Sequence, residues 1–294
     1  ARPKKGEQVA WGESNAVAFA NTVLGARTNR YGDFLDIACA VSGRAPYYGL
    51  HCSKNRHAEI LLDVTGLPEK VKEEDTFFPV LGSLIGRLSS DSICAVSGIN
   101  RIVSEDQLKA LCAAAASTGA VGLVHIIGIT PEATDLRHVF NTQRPREIIS
   151  IDMDMMKGAF HKLSQTKQAG SIDCVALGSP HFSISECEQL LEMSDEKKFK
   201  VPVYVCTNRH TAQQLKTQNI YSRLERIGVV FIIDTCVVVT PILPGSGGIM
   251  MTNSAKFAHY SAGNTGYRPI FGSLSDCIKS AQKGSATLNY GPWK

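Results

Sequence analysis

The stretch ALGSPHFSISE, residues 176–186, sets a serine and a histidine, Ser179 and His181, directly behind a run of apolar residues. Further along, VVFIIDTCVVVT ends a second apolar run in Asp234, Thr235 and Cys236. Both polar groups stand where a buried strand stops. In a parallel sheet such carboxyl-end turns open on one edge, and ligands bind at that edge. Ser179, His181, Asp234 and Cys236 are therefore expected to converge, offering a hydroxyl, an imidazole, a carboxylate and a thiol to one cleft. The plainer alternative stands beside this one: a Ser-Pro-His turn also serves as a simple connection, and a cysteine flanked by valine also serves as core.

The elements that would position these groups read clearly from residue 91 onward. SICAVSGI is an apolar strand, and Ser104 with Gln107 forms a capping box for the helix EDQLKALCAAAAS, which ends at Gly119. VGLVHIIGI follows as a strand, and Thr130, Pro131 and Glu132 open the next helix, with proline at its first position. The alternation continues with strand REIISID, helix 153–165, strand IDCVALG and helix 183–193, the last capped by Ser183 with Glu186. Strand VPVYVCT, helix 209–227 and strand VVFIID complete it. Continuous apolar strands alternating with helices predict a parallel sheet covered on both faces.

Before residue 91, Ser14 caps a helix running to Leu24 and stopped by Gly25, and Asp33 caps a second helix closed by Gly43. Between them lies GARTNRYGD, a polar loop with two arginines and an asparagine. AEILLDVTG reads as a strand, and DTFFPVLGSLIGRLS as an apolar helix entered through Pro79. TPILPGSGG, residues 240–248, reads as a linker and lobe boundary; its GSGG opens no convincing helix and is not taken as a phosphate cradle. SLSDCIKSAQKG is a short closing helix. The expected organisation is an N-terminal part over 1–90, a parallel α/β domain over 91–245, and a segment over 246–294 that packs back.

Composition narrows the function classes. A net charge of +4 over 294 residues, with no basic run of five, does not argue for nucleic acid. The lead-in ARPKKGE precedes no apolar segment, and no run of 18 apolar residues occurs, so neither a signal peptide nor a membrane span is expected. Nine scattered cysteines do not form a disulfide framework and favour a reducing, cytoplasmic setting. There is no CxxC pair, HExxH, P-loop or nucleophile elbow.

Six stretches occur in an order that resembles the catalytic region of the aconitase X family. They are AWGESNAVAFANTVLGARTNR (10–30), GRAPYYGLH (43–51), GLVHIIGITPEA (122–133), ALGSPHFS (176–183), DTC (234–236) and TNSAKFAHYSAG (252–263). The likeness runs to about Gly284. It implies a three-layer α/β/α fold of mainly parallel sheets, aconitase-like and without the family's swivel domain. The activity implied is that of a hydro-lyase working with an iron centre, either a two-iron or four-iron iron–sulfur cluster or a mononuclear iron. The expected reaction is dehydration of a small hydroxy acid, cis-3-hydroxy-L-proline, to pyrroline-2-carboxylate. Mevalonate 5-phosphate dehydration and a catalytically inactive binding or scaffold subunit are the alternatives.

The resemblance also assigns residues. Cys236 is carried over as the iron ligand. Many family members have cysteine where this chain has Ser179, and a serine oxygen is a poor iron ligand beside thiolates. The family's upstream cysteine segment is not found ahead of Ala1, so the remaining parts are expected from sequence outside this chain, including a small swivel domain or subunit. Arg27, with Thr28 and Asn29 beside it, is expected to clamp the substrate carboxylate. Ser14 and Asn15 lie on the helix leading into that loop and are assigned with Ser179 and Tyr260 to substrate contact. His181 is expected to orient a water or ligand, and Lys256 is its catalytic companion.

Overall fold

The computed structural model describes every residue except Ala1, Asp33, Arg101 and residues 167–169. The cap expected at Asp33 lies outside the described residues. The chain forms two compact units, residues 1–156 and 157–294. The expected cuts at 90/91 and 245/246 do not fall there. The strand beginning at Ile60 belongs to the sheet of the first unit, and strands after residue 247 belong to the sheet of the second.

The first unit opens with α1 (Ser14–Thr22) and α2 (Leu35–Ser42), followed by β1 (Ile60–Asp63), α3 (Glu69–Lys72) and α4 (Phe77–Ser89). Then come β2 (Cys94–Ser97), α5 (Glu105–Thr118), β3 (Val124–Ile126), α6 (Leu136–Val139) and β4 (Glu147–Ser150). The four strands are all parallel, in the order β3-β2-β1-β4. Helix α7 (Met153–Lys162) carries the chain into the second unit.

Local chemistry explains most of these boundaries and corrects several expectations. Glu13, not Ser14, caps α1, accepting from the Ala16 N–H. Helix α4 starts two residues before Pro79; proline fits there because first-turn N–H groups have no helical acceptor. Ser104 and Gln107 cap α5 reciprocally, and Gly119 follows it, as expected. Thr130-Pro131-Glu132 does not open a helix: the Thr130 hydroxyl turns back to the Ile126 N–H at 3.0 Å, and α6 starts later, capped by Asp135.

The second unit holds β5 (Cys174–Leu177), α8 (Ile184–Met193), β6 (Val203–Thr207), α9 (Arg209–Thr217), α10 (Ile220–Ile227) and β7 (Val229–Ile233). It closes with β8 (Gly248–Thr252), α11 (Ala255–Thr265), β9 (Tyr267–Phe271) and α12 (Leu274–Lys283). The helix expected over 209–227 is broken into α9 and α10 at Asn219, whose φ of 60° lies in the left-handed region. All five strands are parallel, in the order β7-β6-β5-β8-β9.

This sheet is buried on both faces, and its side chains alternate between two clusters. Val175, Leu177, Val203 and Val205 meet the apolar faces of α8, α10 and α12. Cys174, Ala176, Tyr204 and Cys206 face the other way, toward Phe257 of α11 and the segment at Val237 and Val238. The continuous apolar runs in the sequence are the consequence. The expectation of parallel α/β layers holds in both units.

Gly178 ends β5 with φ of 91°, and a Cβ there would sit 2.2 Å from the Cys206 carbonyl oxygen. Both the backbone conformation and the close approach require glycine. Gly178→Ala is expected to destabilise the protein by about 2–4 kcal/mol, measured by chemical denaturation; a loss below about 1 kcal/mol would show that the turn yields.

Candidate active site

In the second sheet the winding reverses between β5 and β8. From β5 the chain lays β6 and β7 to one side; it then returns to set β8 and β9 on the other. The carboxyl ends of β5 and β8 therefore flank a topological switch point, the crevice where open α/β sheets take ligands. Ser179 and His181 follow β5, and Ser254 and Lys256 follow β8. The Ser254 hydroxyl donates to the Ser179 carbonyl oxygen and also accepts from the Phe257 N–H at 3.1 Å. One serine thus caps α11 and ties the two turns together. Ser179 is buried, and the peptide bond to Pro180 is cis.

The turn after β7 joins the same edge. His181 Nε2 lies 3.3 Å from the Thr235 carbonyl oxygen, one residue from Cys236. Asp234 adopts φ of 58° and accepts from the Arg209 backbone N–H and Nε at 3.0 and 2.6 Å. Those bonds and the Arg209 charge, with His181 contributing, hold its carboxyl below the usual range. Its oxygens are engaged in fixing the turn. Among the described residues Cys236 is the one cysteine that is not buried. It packs with Tyr260 against the cluster containing Cys206. A cavity of about 250 Å³ starts at the next residue, lined by Val237, Thr240 and Asn264. Burial pushes the thiols of Cys174 and Cys206 up to about 12, so these neighbours stay protonated. The sequence-predicted group Ser179, His181, Asp234 and Cys236 is thus drawn onto one edge, with Lys256 in the first turn of α11 and Tyr260 one turn on.

The residues expected to meet the carboxylate lie in the first unit. Arg27 Nη1 donates to Ser53 Oγ at 2.7 Å, and its Nη2 faces Glu132 at 3.4 Å. Glu132 is held much more firmly by Arg56, through Nε at 2.8 Å and Nη2 at 2.5 Å. Arg56 is 4% exposed, and its remaining N–H groups reach Asn21 Oδ1 and the carbonyls of Leu50, Asn21 and Ala26. Burial lowers the Arg56 pKa, and Glu132 opposes that effect. Thr28 is fully buried; its hydroxyl bonds the Trp11 backbone and its N–H bonds Asn21. Thr28 therefore holds the loop in place. Asn29 does likewise, accepting from the Leu50 N–H at 3.2 Å. Ser14 is half-buried beside Glu13. Asn15 differs from all of these: its Oδ1 is buried and has no hydrogen-bond partner among the described residues. An acceptor left so costs about 1–3 kcal/mol and is free to receive a ligand N–H.

Sequence reasoning missed a second cluster here. His51 is buried, with Nδ1 2.6 Å from Gln8 Oε1 and Nε2 bonded to the Tyr31 hydroxyl. The amide oxygen only accepts, so Nδ1 carries the proton and the Tyr31 hydroxyl donates to Nε2. Burial, then the positive charge of Arg56, hold the imidazole below the ordinary histidine range. Both residues sit in stretches singled out above, GRAPYYGLH and GARTNRYGD, but neither spacing announces a contact across 20 positions. Arg56 and Glu132 pair over 76 positions, and no local signal marks them.

Known proteins resolve what these features have in common. Domain descriptions of aconitase X match the chain as first domain over residues 1–54, second domain over 58–161 and third domain over 172–283. The chain belongs to the aconitase X family. A cis-3-hydroxy-L-proline dehydratase of Hypocrea jecorina is 41% identical over 96% of the chain and 48% of that protein. One from Pseudomonas aeruginosa is 38% identical over 99% and 50%. The chain thus spans about half the length of these relatives. The phosphomevalonate dehydratase large subunit of Methanocaldococcus jannaschii is 33% identical over 94% of the chain and 68% of that subunit. The crystal structure of Thermococcus kodakaraensis aconitase X (holo-form) superimposes with a TM-score of 0.84 at 31% identity, covering 95% of this chain and 69% of that one.

Aconitase-type folds suggest a metal or iron–sulfur cofactor. Such a cluster rests on several thiolates. Among the described residues no three His, Cys, Asp or Glu side chains are grouped to hold a metal ion. At the carboxyl edge the soft donors are Cys236 and His181, with a hydroxyl at Ser179 in place of a third. This donor set does not fit a complete iron site, and no chemical step is assigned through one.

Two measurements test the first-unit geometry. Glu132→Gln leaves the buried Arg56 charge uncompensated and is expected to cost about 3–5 kcal/mol by denaturation; a loss under 1 kcal/mol would mean Arg56 is solvated. His51, held neutral, contributes stability that is complete above about pH 6.5 and declines as the pH falls toward its lowered folded value. Its imidazole NMR signals should titrate below pH 6.5, with the proton on Nδ1; titration at or above 6.5 contradicts the burial.

Proposed function

We propose that the chain is the large catalytic part of a hydro-lyase that dehydrates cis-3-hydroxy-L-proline to pyrroline-2-carboxylate. The observation that carries this is the ranking of its relatives. Cis-3-hydroxy-L-proline dehydratases are 38–41% identical over nearly the whole chain, against 31–34% for the phosphomevalonate dehydratase large subunits.

The side chains supply chemistry suited to that substrate. Arg27 is proposed to hold the carboxylate. Its contact to Glu132 is the long one, since Glu132 is committed to Arg56, so the guanidinium is positioned yet available. Glu132, Arg56, Thr28 and Asn29 act as positioning residues for it. The unpartnered Asn15 Oδ1 suits the ring N–H of an imino acid. Ser179 and Tyr260 are proposed to touch substrate at the switch-point edge, with Ser14 at the start of α1 contributing to binding. His181, anchored to the Thr235 carbonyl, is proposed to orient a water or the departing hydroxyl, and Lys256 to stabilise charge that develops there. Cys236 is proposed as one thiolate of an iron centre whose other donors lie beyond the described set.

A small swivel domain or subunit is the proposed partner, in keeping with the large-subunit names of several relatives. A cytoplasmic location is proposed from nine cysteines that form no disulfide. No described helix is long and apolar enough to cross a membrane.

The assay offers the complete protein cis-3-hydroxy-L-proline and mevalonate 5-phosphate side by side. Water loss from the imino acid is expected; activity on the phosphate ester alone would replace the substrate reading, and none on either would favour a scaffold subunit. Arg27→Lys keeps the charge but loses the bidentate fork, and should lower kcat/KM about a hundredfold. An unchanged value would remove Arg27 from the site.

A further inference from the structure

The amino ends of β1, β2 and β4 frame a cavity of about 600 Å³ within the first unit. Ligand pockets commonly span roughly 300–1,000 Å³, so a metabolite-sized molecule fits. The floor is carbon, made by buried Ala58 and Phe140 and half-buried Ile93. The rim is cationic: Lys54, Arg144 and Arg146 face a single carboxylate, Glu59. That carboxylate is already matched, since Arg146 donates to it at 2.5 Å while its other arm reaches Ser92 Oγ at 3.0 Å. Lys54 and Arg144 have no hydrogen-bond or ion-pair partner among the described residues. Two positive charges are therefore left over above an apolar floor, and Gln143 adds an amide beside them. Cations gathered around a concave wall of low polarity focus their field into it and raise the local concentration of anions.

We infer that this cavity binds a small organic dianion, its phosphate or paired carboxylates held by Lys54 and Arg144 and its carbon body laid against Ile93 and Phe140. It lies at the strand ends opposite to those where parallel sheets place catalysis. It is a binding site in its own right and does not depend on the dehydratase reading.

Phenyl phosphate, phthalate and inorganic phosphate serve as probes in calorimetric titration of the protein. Phenyl phosphate and phthalate carry the same charge and a carbon body on different acids, so the tighter of the two names the acid group; inorganic phosphate lacks the body and should bind more weakly than either. Lys54→Ala with Arg144→Ala removes two charge-assisted contacts from exposed side chains and should weaken binding at least about tenfold, with an unchanged melting temperature in the absence of ligand. Lys198→Ala with Lys283→Ala, which removes the same charge elsewhere, should bind as the parent does. Absence of saturable binding of both organic anions, equal binding by inorganic phosphate, or an equal loss in the control pair would each overturn the site.

Discussion

A buried guanidinium cannot be left short of acceptors, and Arg56 organises the first unit by that requirement. It cannot shed its proton to escape the cost of burial as a lysine would. Every N–H it carries must find an oxygen. Those oxygens come from Glu132 in the loop after β3, from Asn21 and Ala26 at the end of α1, and from Leu50 in the turn before β1. Three separate stretches are fastened to one planar group. The Arg27 loop and the Gln8–His51–Tyr31 chain inherit their places from that fastening, because Arg27 adjoins Ala26 and His51 adjoins Leu50.

The second unit solves its positioning problem differently, through topology instead of charge. Parallel strands wound first one way and then the other leave a crevice at the switch point, and the Ser254 hydroxyl ties its two turns together. The polar side chains there are borne on turns fixed by left-handed residues at Gly178 and Asp234. The two units thus share an architecture and differ in what steadies their functional edges.

The parallel layers were legible because strands buried on both faces must be apolar throughout, and the capping boxes at Ser104 and Ser183 mark their helices within four residues. The convergence of Ser179, His181 and Cys236 followed from strand direction alone. Other features depend on information that a local reading lacks. Strand β8 begins in a glycine-rich stretch, and β9 contains Pro269, which an outer strand tolerates and a central one does not. Asn219 breaks a run that reads as one helix, its left-handed backbone separating α9 from α10. Thr130-Pro131-Glu132 has the grammar of a helix start, but Glu132 is claimed by Arg56 from 76 positions away. Tertiary pairing of charge outweighed local propensity there.

The distribution of thiols has a practical corollary. Four of the buried cysteines, Cys94, Cys112, Cys174 and Cys206, are pushed up to about 12 by burial alone or nearly so. A protonated, enclosed sulfur neither attacks a disulfide nor meets peroxide. Air, alkylating reagents and mixed-disulfide formation thus encounter a folded chain whose nine thiols present a single address, the half-exposed Cys236. The same fold that crowds thiols into its cores shields them, and leaves thiol chemistry to the edge where the sheet opens.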